Sequence, residues 1–98
     1  GEELAQRARV DLAAGRWRLA ALGLAVALDA AVAELVPWQD RGDMAARIEE
    51  LRGLRPQARA AADRALQGGL DDDEAATVDR VLGRVEAAMR ARAALGHD

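Results

Sequence analysis

The chain has 98 residues, a formal net charge of −3 and no Cys, Ser, Tyr, Lys or Asn; His97 is its only histidine and Thr77 carries its only side-chain hydroxyl. Nucleophilic and acid–base catalysis need a positioned Ser, Cys, Lys, Tyr or His, or paired carboxylates in a shaped pocket, so this composition leaves an enzyme little but carboxylates. Without cysteine there is no disulfide framework and no thiolate metal site, and the acidic balance argues against nonspecific nucleic-acid binding, which needs a basic face.

Helix-period patterns cover nearly the whole chain, with no period-2 alternation and few β-branched residues. A first helix is expected over 3–13, closed by the turn Ala14-Gly15. A second follows over 16–36. Trp17, Leu24, Leu28, Val32 and Leu35 fall on one arc of it, and Leu19, Leu22 and Val26 fall on the opposite side. A helix apolar on two sides is buried on two sides, which makes this the central helix or one whose second face meets another subunit. Its apolar run from Leu19 to Val36 contains Asp29 and Glu34. Each charge costs about 2.5–3.5 kcal/mol at the middle of a membrane helix, so no transmembrane span is expected. No basic start precedes an apolar stretch either, so no signal peptide is read and the expected location is cytoplasmic.

Residues 36–43 read as a loop with Pro37 and Gly42, ending in Asp43 as a candidate N-cap. The third segment, 43–67, places Met44, Ile48, Leu51, Ala58, Ala62 and Leu66 on one stripe that continues through Pro56, where a kink or one-turn break is expected. Gly68-Gly69 end it. The last helix, 72–95, is the plainest: Asp71 to Glu74 pile negative charge on its N-terminus, and Val78, Val81, Leu82, Val85 and Met89 form a narrow apolar stripe. Trp17 reads as core. Trp38, in the loop, reads as a cap on the bundle end or as an exposed anchor for a partner.

Gly15, Trp17, Ala20, Leu24 and Ala27, with Leu4 and Ala8 in the preceding helix, resemble a tetratricopeptide-type helical hairpin over residues 4–37. That resemblance implies an antiparallel helix pair closed by small residues, in a protein-binding architecture. Arg92 and His97 resemble the Arg-x4-His spacing of the HEPN family of small helical ribonucleases. There the His implies general acid–base cleavage of RNA, with the Arg holding phosphate.

The remaining motifs read as structure. The Asp71–Glu74 cluster lacks the alternating oxygens and Gly of a calcium loop and serves as helix capping. Asp40 and Asp43 read as turn residues. The arginines between Arg41 and Arg64 alternate with Glu49, Glu50 and Asp63, as on a solvated helix face. Half of the apolar residues (25 of 50) are Ala, a thin core that points to oligomerisation or docking onto a larger parent. Exclusive Arg use with abundant Ala and Gly points to a bacterial genome rich in G and C, and a start at Gly1 instead of Met suits a piece of a longer chain.

These readings converge on one all-α domain over 1–98, an up-and-down bundle of three to four antiparallel helices. Its expected role is non-enzymatic protein–protein interaction or oligomerisation through Leu19, Leu22, Val26 and Trp38. The expected partner is a second copy or a parent-chain domain, with no cofactor, metal, membrane or nucleic acid. The alternative is a HEPN-like ribonuclease or toxin domain using Arg92 and His97.

Overall fold

A computed structural model describes residues 2–96. Four helices form an all-α antiparallel bundle: α1 (Glu2–Ala13), α2 (Trp17–Leu35), α3 (Met44–Gln67) and α4 (Asp72–Leu95), with a 3-10 turn at Val36–Trp38. Helix α2 packs against all three others, and α4 touches the other three as well, whereas α1 and α3 scarcely meet. The section is therefore a flattened rhombus with α2 and α4 on its short diagonal, and the Cα envelope measures 44 × 23 × 17 Å.

Each corner has a local cause. At the end of α1, Arg16 N–H donates to Asp11 O at 2.8 Å and Gly15 N–H to Leu12 O at 3.1 Å. This Schellman pair needs a left-handed residue between its donors, and Gly15 supplies it with φ 79. The Arg16 and Asp11 side chains, 2.9 Å apart, fasten the same reversal. Helix α3 ends at Gly68, whose φ of 142 favours glycine. Asp71 then opens α4 with a capping box: its carboxylate accepts from Glu74 N–H at 2.8 Å, and Glu74 accepts from Asp71 N–H at 3.0 Å. The other Glu74 oxygen takes Arg64 Nε at 2.8 Å, tying the end of α3 to the start of α4. Asp43 stands at the α3 N-cap as expected, but its carboxylate turns to Arg47 Nε at 2.9 Å instead of capping the backbone.

The core runs through all four helices. Its large fully buried side chains include Leu24, Leu28 and Leu35 of α2, Met44 and Leu51 of α3, and Val78, Val81, Leu82 and Val85 of α4. Alanine fills the close approaches: Ala8, Ala20, Ala21 and Ala27 are completely buried. No polar or charged residue is buried among the described residues. The accessible surface is 5554 Å², close to the roughly 5,400 Å² of a monomeric protein of this mass. The alanine-rich interior thus closes to the surface area usual for one chain of this mass.

Of the kink or one-turn break expected at Pro56, the break is absent: α3 runs on through the proline as one helix. Proline removes the bond to the Arg52 carbonyl, and both residues lie on the exposed side, where water replaces it. The apolar stripe expected along α3 is corrected. Beyond Pro56 the buried positions are Ala58, Ala61 and Ala65, with Ala62 only half-buried and Leu66 71% exposed. The stripe through 58, 62 and 66 takes two steps of four residues, which carry it about 80° around a helix of 3.6 residues per turn.

Helix α1 buries only Ala5 and Ala8 fully, so its attachment leans on Arg9. The guanidinium grips Glu86 of α4 through Nε (3.1 Å) and Nη2 (2.8 Å), and its Nη1 reaches Asp79. Hydrogen bonding to Glu86 is the largest cause that raises the Arg9 pKa above its ordinary value. Two outcomes follow. Pro56→Ala should raise stability by about 1–3 kcal/mol in urea melts, since it restores a hydrogen bond at an exposed helix position; a loss would mean the core depends on the proline. Arg9→Ala should cost about 1 kcal/mol after solvent screening and speed hydrogen exchange in α1 ahead of the other helices. Uniform exchange across the bundle would assign the attachment of α1 elsewhere.

Candidate docking face

Helix α2 is enclosed on three sides. On the α1 side Gly23 brings the backbones together, a Cβ there standing 3.5 Å from Ala8 Cβ. On the α3 side Asp29 takes Arg55 Nε at 3.0 Å and Arg59 Nη2 at 3.7 Å, and Arg18 Nε donates to Ala65 O at 3.0 Å. Leu24, Leu28 and Leu35 point to the interior. The fourth side is open: Leu19 is 53% and Val26 56% exposed, with Leu22 half-buried between them and packed against the core edge. Three of the four expected interface residues therefore share one outward stripe. Spacings of three and four residues put them there.

Leu66, expected on the buried stripe of α3, is exposed instead. The Arg18–Ala65 bond sets the start of α2 beside the end of α3, so exposed Leu66 stands at the same end of the bundle as Leu19. Where the two glycine turns meet, a cleft of about 520 Å³ opens between Trp17, Leu19, Leu22 and Leu70, with Arg16 and Arg18 among its lining. Trp17 is consequently half-buried on a cleft wall and not in the core. Its place on the helical wheel is right for burial, but at the very start of α2 its ring borders the cleft instead of the packed interior.

Trp38 does not belong to the stripe. Roughly 24 Å of helix separate Leu19 from Leu35, just before the turn that carries Trp38. There the indole is half-buried, with the Arg92 guanidinium 4.2 Å and the Arg41 guanidinium 5.6 Å from its ring centre. Leu95 lies beside it against Gly42, 3.6 Å from where a Cβ would stand. Trp38 thus caps the end of the bundle where the last turns of α4 meet the α2–α3 loop. Arg92 is engaged by that ring, and His97 lies outside the described residues.

The chain matches no protein-family model, no curated protein and no solved structure. Arginine is distributed as ties between helices instead of gathered into a patch: Arg9 to Glu86, Arg55 to Asp29, Arg64 to Glu74, Arg84 to Glu50, and Arg80 to Gln57. Among the described residues no group of three or more His, Asp or Glu is placed to hold a metal ion. The stretch Trp17–Trp38, with mean hydropathy 2.0, is long and apolar enough by composition to cross a membrane. In this fold it is α2 with the turn that follows, packed against the three other helices, with Asp29 ion-paired to α3.

The cation–π stack gives a local test. In a Trp17→Phe chain, Arg92→Ala should shift Trp38 emission to the red and lower stability by about 1 kcal/mol. Unchanged emission would show that Arg92 does not cover the indole.

Proposed function

We propose that this protein is a non-enzymatic helical interaction module that self-associates through the outer face of α2, acting as an oligomerisation unit in the cytoplasm or within a longer chain. The observation that supports this most directly is the exposure of Leu19 and Val26 on a helix that packs against all three others. Single exposed leucines are ordinary on any protein. Here two large apolar side chains stand on one stripe with a half-buried leucine between them, a surface of the kind that docks protein. Among the described residues no polar or charged side chain is buried, and Arg9, Arg55, Arg64 and Arg84 pair with carboxylates on other helices.

A monomer of ordinary compactness that also carries this face fits a dimer assembled from folded chains, with each partner stable alone. Light scattering across a dilution series should show mass above 10.4 kDa at high concentration, falling toward it on dilution. Val26→Asp should abolish the rise and leave the helical circular dichroism intact, with stability changed by no more than about 0.5 kcal/mol at so exposed a position. A wild-type chain at monomer mass throughout would refute self-association. Loss of helical signal in Val26→Asp would place the stripe in the monomer core.

A further inference from the structure

The cleft between the two glycine turns combines apolar walls with a cationic mouth. Its walls are apolar, formed by Trp17, Leu19, Leu22 and Leu70. Both charged side chains in its lining are cations, Arg16 and Arg18, and no carboxylate joins them. The cleft at the opposite end has Glu2 and Glu34 beside Arg92, and the α3–α4 cleft has Glu74 beside Arg64. Arg16 shares its charge with Asp11 at 2.9 Å. Arg18 differs: its Nε donates to the neutral Ala65 carbonyl, which orients the guanidinium at the mouth without neutralising it.

We propose that this cleft binds a small organic anion with a flat apolar body. The body lies against Trp17 and the leucines, and the anionic group pairs with Arg18. The volume of about 520 Å³ is of small-molecule size. A guanidinium held by its Nε keeps two Nη groups for an anion, and a fork of that kind suits a carboxylate or sulfonate. The half-burial of Trp17 has a use in this arrangement: an indole on a cleft wall offers a planar apolar surface to stack on. The proposal rests on the lining of the cleft and stands apart from self-association. The two meet at Leu19 and Leu22, so a bound anion is expected to compete with docking on the α2 face.

The test uses the whole chain and two probes with the same rings, 8-anilinonaphthalene-1-sulfonate and the uncharged N-phenyl-1-naphthylamine. The sulfonate should bind at one per chain, with energy transfer from Trp17 retained when Trp38→Phe removes the other indole. The neutral probe should bind about tenfold more weakly or worse, and Arg18→Glu should weaken sulfonate binding by a similar factor, as loss of a charge-assisted pair predicts. Circular dichroism reports whether Arg18→Glu keeps its helices without the Ala65 bond. Leu19→Glu, at an exposed position in the same lining, sets a carboxylate at the mouth and should weaken the sulfonate likewise. Equal binding of the two probes, wild-type affinity in both charge variants, or no transfer from Trp17 would each overturn the proposal. Light scattering on the same samples reads self-association separately, so failure of either reading leaves the other to stand or fall alone.

Discussion

Close packing of α2 is the constraint on which the rest of the molecule depends. A helix can meet three neighbours at once only if its inner surface is narrow, and here Ala20, Ala21, Ala27 and Ala31 alternate with Leu24, Leu28 and Leu35 to make it so. Gly23 removes the last obstacle on the α1 side. Close approach brings many small contacts within van der Waals range, so modest side chains still fill the interior to normal density. That is why a chain with so much alanine reaches the surface area of an ordinary monomer.

With no polar or charged side chain buried among the described residues, the charges lie at the surface, where the helices are then laced together. Arg9 reaches from α1 to α4, Arg55 from α3 to α2, and Arg64 and Arg84 across the α3–α4 seam. Exposed pairs of this kind contribute up to about 1 kcal/mol each, less at high salt. Their larger consequence is directional: they set which flank of each helix meets which neighbour. The rhombic section follows, with α2 at an obtuse corner and its outer stripe uncovered. The candidate docking face is a by-product of that geometry as much as of its own leucines.

The two ends of the bundle solve different problems. At one end Trp38, Arg92, Leu95 and Gly42 close the gap between the last turns of α4 and the α2–α3 loop. At the other, both connections are glycine turns with little side-chain bulk, and a cleft remains beside Trp17. The two tryptophans, alike in composition, therefore have opposite roles: one fills an end and the other lines an opening.

Periodicity and punctuation in the sequence were enough for the helices, because they are local. Gly15, Gly68 and the Asp71–Glu74 box act within a few residues of themselves, and each boundary they announce lies within one residue of the observed one. The second apolar stripe of α2 was legible for the same reason: spacing alone separates Leu19, Leu22 and Val26 from Leu24 and Leu28. What covers each stripe is a matter of the other helices. The burial of Ala61 and Ala65 in place of Ala62 and Leu66 depends on where α2 and α4 lie beyond Pro56, and small errors in helical phase accumulate over 24 residues. The exposure of Trp17, the stacking of Trp38 and the Arg9 fork join residues up to 77 positions apart, and no local pattern carries such pairings. The sequence by itself determined the helices and their apolar faces, because those depend on neighbours along the chain; only the tertiary structure decided which face stays open, because that depends on neighbours in space.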